Sequence, residues 1–178
     1  MLLEPSLVPV PSLGAFFTQA QPAFEAYASG DHAGALAIFM SAVSGIEPTR
    51  AAALLEERIP GAVAQAIRDA DTFFGVELPA LTEWTFGTEE AARLDQPVLS
   101  VVGSETQPVW VEVAEFLRSA LPQVDECTID GAGHLLQIQR PEAVARGMAE
   151  FLDRHPIDDD GRDALERPSS GEASAVSG

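Results

Sequence analysis

The sequence predicts an α/β fold: a short parallel sheet flanked by helices, preceded by a helical layer. Three observations lead there. The run Pro97-Val98-Leu99-Ser100-Val101-Val102-Gly103 is apolar, rich in β-branched residues and bounded by Pro and Gly, which reads as a buried strand. From this run to residue 155, strand-like and helix-like segments alternate, the pattern of parallel strands joined by right-handed crossovers. Ahead of it, about ninety residues space their apolar side chains three and four apart, a helical period.

Met1-Leu2-Leu3 reads as the end of a strand, stopped by Glu4-Pro5. Residues 5–12 form a proline-punctuated connection. Ser12 is placed to cap a helix whose apolar face is Leu13, Phe16, Phe17, Ala20, Phe24 and Tyr27. Pro22 predicts a break or kink within it. Gly30-Asp31 closes the unit, and Asp31 caps the next helix, with Leu36, Phe39, Met40 and Val43 on one face and an end near Gly45. Pro48 starts a short helix through Arg58. Pro60 suits the first turn of another, with Val63, Ile67, Ala70 and Phe74 turned inward.

After the strand over 97–103, Val109, Val113, Phe116, Leu117 and Leu121 keep helical spacing. Val124–Ile129 is a second strand. A final helix over Pro141–Arg154 turns Val144, Met148, Phe151 and Leu152 to one side. From Ile157 onward the chain is acidic and rich in Asp, Ser, Gly and Ala, with almost nothing to bury, so a disordered tail is expected. The organisation is then a strand end at 1–4, a helical cap at 5–95, an α/β core at 96–155 and the tail at 156–178.

Composition narrows the function. The net charge is -18, from 28 acidic against 10 basic residues, which argues against nucleic acid and anionic membrane as partners. Every basic residue is Arg, and the chain has neither Lys nor Asn, as a GC-rich gene would give. Cys127, the sole cysteine, cannot form an internal disulfide, which fits a reducing, cytoplasmic setting. In its apolar strand it reads as a small packed side chain rather than a nucleophile. His32, His134 and His155 lack the spacing of a zinc site, and no metal or cofactor is implied. The N-terminus has no basic segment, and Glu4, Pro5, Pro9 and Pro11 interrupt its apolar residues, so neither a secretory signal nor a membrane span is expected.

The stretch that carries chemistry is Asp130-Gly131-Ala132-Gly133-His134. It sets a lone histidine on a glycine-flanked loop between the second strand and the final helix. Such a loop turns sharply and holds an imidazole at the rim of a sheet, where it can take and return a proton near neutral pH. The plainer reading is a loop histidine satisfied by backbone groups. Asp31-His32 looks like a dyad, but neighbours at a helix start point in different directions, so a cap and a surface histidine are expected. His155 should interact with carbonyls at its helix end. Phe16, Phe17, Phe39, Phe73 and Phe74 suit cap packing or an acyl pocket, two compatible roles. Gln137, Gln139 and Arg140 read as loop anchors without a catalytic part.

Taken together, Leu3-Glu4-Pro5, the helical segment after it, the 97–103 run with Ser104-Glu105, and Gly131-Ala132-Gly133-His134 with Gln137 and Arg140-Pro141-Glu142 resemble the C-terminal half of an α/β-hydrolase, over residues 1–155. The resemblance implies a partial α/β-hydrolase fold: the end of the sixth strand, the helical cap, the seventh strand, and the eighth strand with the catalytic histidine, here His134. The family's nucleophile sits in a Gly-x-Ser-x-Gly elbow after the fifth strand, and no such pentapeptide occurs here. The family's Gly-x-x-Asp acid also has no match, because Gly103-Ser104-Glu105-Thr106 puts Thr there. Glu105 and Glu4 are the two substitutes. Glu4 is preferred, because some family members carry their acid at the end of the sixth strand.

The resemblance therefore implies hydrolysis of an ester or related small molecule, with His134 as general base and a smallish, partly apolar substrate between cap and sheet. A Ser nucleophile would make an esterase, and an Asp nucleophile a dehalogenase or epoxide hydrolase. The chain reads as a fragment or one piece of a split protein, inactive alone, and expected to self-associate or pair with a missing N-terminal half. The competing reading is a non-catalytic interaction or regulatory module that docks through an unfinished sheet edge at residues 1–3.

Overall fold

Leu99, Ser100 and Val101 are buried in succession, because both faces of their strand are covered. A computed structural model of the chain describes residues 1–6 and 10–156. Within it, β1 (Leu2–Leu3), β2 (Val98–Gly103) and β3 (Val124–Ile129) form one sheet in the order β1-β2-β3. Both pairings are parallel. Leu3 stands opposite Val101, and β2 runs in register with β3 from Val98 against Val124 to Gly103 against Ile129.

Side chains alternate across the sheet, so each strand feeds two cores. Leu99, Val101 and Ile129 pack with Leu136, and with Val144 and Phe151 of a helix at Pro141–Arg154. Leu2, Val98 and Val124 lie on the other face, packed with Val113 and Leu117 of a helix at Pro108–Ala120. Leu99 is 1% exposed. Leu99→Ala should therefore cost about 3 kcal/mol, through lost transfer energy and a residual cavity. The fall in the urea midpoint, at unchanged slope, measures it.

Among the described residues seven α-helices precede β2: α1 (Leu13–Ala28), α2 (His32–Ser44), α3 (Pro48–Arg58), α4 (Ala62–Arg68), α5 (Ala70–Thr72), α6 (Leu78–Glu83) and α7 (Thr88–Ala91). After it come α8 (Pro108–Ala120), α9 (Leu136–Gln139) and α10 (Pro141–Arg154). Fully buried alanines, Ala20 and Ala23 on α1 and Ala35 on α2, share the core in which those helices pack. Asp31 caps α2 by accepting the Gly34 N–H at 2.9 Å, and Gly45 ends it at φ 70°. Glu47 caps α3, accepting the Thr49 and Arg50 N–H groups.

Three local expectations change. Ser12 makes no side-chain cap. Its hydroxyl donates to Glu112 Oε1 and its backbone N–H to Glu112 Oε2, which ties the start of α1 to α8. Pro22 does not break α1, because its ring is on the exposed side and the missing backbone bond falls on the wet face. Pro60 precedes its helix. Gly61, at φ 86°, is the residue before α4, and the expected single helix becomes α4, α5, a π turn at Phe73–Glu77 and α6. The π turn brings the consecutive Phe73 and Phe74 into one aromatic cluster with Phe39. The expected tail from 157 onward, and residues 7–9 of the connection, lie outside the described residues. Among the described residues no helix is long and apolar enough to cross a membrane.

Candidate active site

All three strands end on the same side, and the segments that follow them converge there. Strand β1 delivers Glu4, β2 delivers 103–106, and β3 delivers 130–134. Carboxyl ends of parallel strands are the usual place for ligands in α/β sheets.

The segments after β2 and β3 are stitched together by backbone bonds. The Ser104 N–H donates to Ile129 O at 3.0 Å and the Glu105 N–H to Ala132 O at 2.9 Å. The Ser104 hydroxyl accepts the Gly131 N–H at 2.9 Å. Gly103 has no room for a side chain, since a Cβ there would stand 2.2 Å from Ala132 O. Gly131 takes the left-handed φ of 63° that the loop needs. Gln139 anchors the loop by accepting the Gly133 N–H at 2.9 Å, and Arg140 Nε donates to Asp130 O at 3.3 Å. Both act as anchors, as their position suggested.

Glu4 is the centre of the arrangement. It is 4% exposed, and its own N–H still pairs with Val101 O at 3.2 Å. Its φ is 42°, a left-handed conformation that an L side chain adopts only under strain. Oε1 accepts the Gly103 N–H at 2.8 Å. Oε2 accepts the Thr106 hydroxyl at 2.9 Å and lies 2.9 Å from His134 Nδ1. Three donors around one carboxyl suit an acceptor-only carboxylate. With the proton of His134 held on Nδ1, the lone pair sits on Nε2. Among the described residues Nε2 has no hydrogen-bond partner. The solvated carboxylate that a chain end would suggest is therefore not what Glu4 is. Glu105 is exposed, and its carboxylate is not brought to the imidazole.

One face of the imidazole is covered by Trp110, with ring centroids 4.2 Å apart and planes 14° from parallel. The indole N–H of Trp110 donates to Val43 O at 3.0 Å, and Gln107 Nε2 donates to Ala42 O. The first turn of α8 thereby grips the last turn of α2. Trp110 and Thr106 are site residues that the sequence pattern did not single out for a role. Thr106 carried a signal, since it fills the position where the family pattern has Asp.

Above Glu4 and His134 lies a cavity of about 1040 Å³ between the cap and the strand ends. All five phenylalanines considered for a pocket, Phe16, Phe17, Phe39, Phe73 and Phe74, line it, together with Trp84, Phe86, Trp110 and Glu90. They pack on one another as well, so the two expected roles coincide.

The other candidates fall elsewhere. His32 stacks on Tyr27, and its Nε2 is 3.5 Å from Asp71 Oδ1, while the Tyr27 hydroxyl donates to the same oxygen at 3.1 Å. His155 pairs through Nε2 with Asp125 Oδ2 at 3.3 Å rather than with helix-end carbonyls, because Asp125 on β3 already holds Arg154 there. Those two partners hold the Asp125 carboxyl below its usual range, Arg154 most strongly. Cys127 is half-buried under α10, where burial pushes its thiol up and away from nucleophilic use.

Fold and site define a parallel α/β domain with a carboxylate–histidine pair at its strand ends, under an aromatic helical cap. No protein-family model matches the chain. In sequence, 66 residues are 27% identical to a Haemophilus influenzae protein named "Putative esterase/lipase". That match covers 37% of this chain and spans only 23% of the length of that relative. In structure, the chain is similar to an alpha/beta hydrolase enzyme from the sediment metagenome of the Mar Chica lagoon, Morocco. The TM-score is 0.46 at 16% identity, over 54% of this chain and 46% of the other.

Proposed function

We propose that the chain is the cap and final strands of an α/β-hydrolase that cleaves an ester or related small molecule, with His134 as general base and Glu4 as its acid. One observation carries this reading: the buried Glu4 carboxylate meets His134 Nδ1 at 2.9 Å and, among the described residues, leaves Nε2 unpartnered beside a ligand-sized cavity. The partial sequence likeness to an esterase/lipase supports it. Nε2 takes the proton of an attacking nucleophile, Glu4 stabilises the imidazolium that forms, and Nε2 returns the proton to the leaving group.

The chain has no Gly-x-Ser-x-Gly elbow, so in this reading the nucleophile comes from polypeptide outside these 178 residues. A Ser there makes an esterase, and an Asp a dehalogenase or epoxide hydrolase. Among the described residues β1 pairs only with β2, and its other edge is where such a partner would add strands.

Two assays test the proposal. The chain alone should hydrolyse p-nitrophenyl esters no faster than its His134→Ala variant, since loss of a nucleophile costs on the order of a millionfold. Turnover that the substitution abolishes would overturn the external nucleophile and keep the base. When the chain is joined to a nucleophile-bearing half, His134→Ala should abolish turnover. Full activity in that variant would remove His134 from the mechanism.

A further inference from the structure

His134 keeps one degree of freedom that Glu4 does not control. Its backbone is held on both sides, by the Gln139 bond to the Gly133 N–H and by the burial of Leu135. The imidazole itself turns about a torsion whose wells are broad rather than narrow. The bond from Nδ1 to Glu4 Oε2 decides which edge faces the carboxylate. It does not fix the plane of the ring, because a hydrogen bond tolerates a tilt of about 30° before it weakens steeply. The indole of Trp110 supplies the missing restraint. The two rings lie 4.2 Å apart between centroids and 14° from parallel, flat face against flat face. Trp110 is buried and is itself held in two directions. Its N–H donates to Val43 O at 3.0 Å, and the Phe16 ring meets it at 64° with centroids 5.8 Å apart. The surface presented to His134 is therefore a fixed one.

We propose that Trp110 is a positioning residue for His134: its indole face sets the plane of the imidazole, so that Nδ1–H stays on Glu4 and Nε2 stays aimed into the cavity. The proposal rests on the reading of His134 as the base and names the residue on which the aim of that base depends. Aim matters because a misplacement of about 1 Å at a reacting atom costs roughly a hundredfold in rate. The same contact keeps water off one face of the ring, which leaves approach to the other face and to the Nε2 edge. This role of the face is separable from the tether to α2. Trp110→Phe keeps a flat ring but loses the N–H to Val43 O, and Trp110→Leu loses both. If Trp110 only tied α8 to α2, the two variants would behave alike. If it sets the imidazole plane, they differ.

Proton NMR of the 178-residue chain reads that difference without any substrate. The Nδ1–H of His134 is identified as the signal lost in His134→Ala, and its exchange with water reports how often the bond to Glu4 opens. Loss of the flat face in Trp110→Leu should speed this exchange about tenfold, the upper range of an aromatic contact. Trp110→Phe should stay within about threefold of the parent. Thermal melting of both variants shows the temperatures at which each is folded, and exchange is compared there. The parent chain supplies a test that needs no variant to fold. The carbon-bound imidazole protons of His134 lie over the indole, so its ring current should shift them upfield of free histidine until the chain unfolds. Unshifted imidazole protons in the parent, exchange in Trp110→Leu as slow as in the parent, or exchange in Trp110→Phe as fast as in Trp110→Leu would each overturn the proposal. None of these measurements involves turnover, so their failure is distinct from retained activity in His134→Ala, which would remove the base itself.

Discussion

On the proposed reading, replacing Glu4 by glutamine is expected to lower turnover of the chain joined to a nucleophile-bearing half about ten-thousandfold while leaving the chain folded. The reason is the count of donors. Oε1 accepts one N–H, and Oε2 faces both the Thr106 hydroxyl and His134 Nδ1. A glutamine offers one acceptor oxygen and one donor nitrogen. If the amide nitrogen faces Gly103, two N–H groups meet head-on. If it faces His134, the ring must bare Nδ1 and carry its proton on Nε2, the tautomer that cannot act as base. Nitrogen-15 shifts of the imidazole in the chain alone read this switch without any substrate. An unchanged Nδ1–H tautomer in Glu4→Gln would overturn the role given to the carboxylate. Glu4→Ala should be worse for folding, since it leaves a buried N–H, a hydroxyl and a ring N–H unpartnered at about 1–3 kcal/mol each.

Gly103→Ala should be the most damaging single methyl in the domain. The new Cβ would stand 2.2 Å from Ala132 O and 2.7 Å from its carbonyl carbon, both backbone atoms that no rotamer change can move. Either β2 or the histidine loop must shift. Overpacking of this kind costs about 3 kcal/mol or more, a fall in melting temperature of roughly 6–12 °C for a chain of this length. The same shift would lengthen the Gly103 N–H bond to Glu4 and pull His134 from its partner. Loss of the Glu4-dependent tautomer signature should therefore accompany the lower melting temperature. A variant as stable as the parent would show that the close approach of the two loops is dispensable.

Much of this arrangement was legible in the sequence, for physical reasons that differ by element. Strand β2 could be read because burial on both faces demands an unbroken apolar run, and β3 because six residues sit between a proline turn and a glycine loop. Pro48, Pro108 and Pro141 marked helix starts because their missing N–H falls where no partner exists. The histidine loop was legible from its glycines. The preference for Glu4 over Glu105 came from the family resemblance, in which some members carry their acid at the end of the sixth strand, and the structure puts the Glu4 carboxylate, and not that of Glu105, on the imidazole.

What stayed hidden depends on contacts between distant residues. Trp110 reads as one more apolar position on α8, and only the fold reveals that its ring lies on His134 and its N–H on Val43. Ser12 carries a capping residue's chemistry, yet Glu112, a hundred positions away, claims it. The π turn at Phe73–Glu77 has no local sequence mark, because it arises where two bulky rings must both face the cluster. Pro22 misled for the opposite reason: local chemistry disfavours a helix interior, but its ring lies on the exposed side and the helix runs on through it from Leu13 to Ala28.

The indole of Trp110 ties the end of α2 to the histidine, beside the Gln107–Ala42 and Ser12–Glu112 bonds that also join α8 to the cap. Its nitrogen is fastened to the end of α2, and its flat surface is the shelf on which the imidazole rests. A swing that opened the helical roof would have to tear the Val43 tether or drag the shelf away. If His134 is the base proposed above, admission of a ligand and disarming of that base would then be a single displacement, so the site could not be both wide open and ready to react.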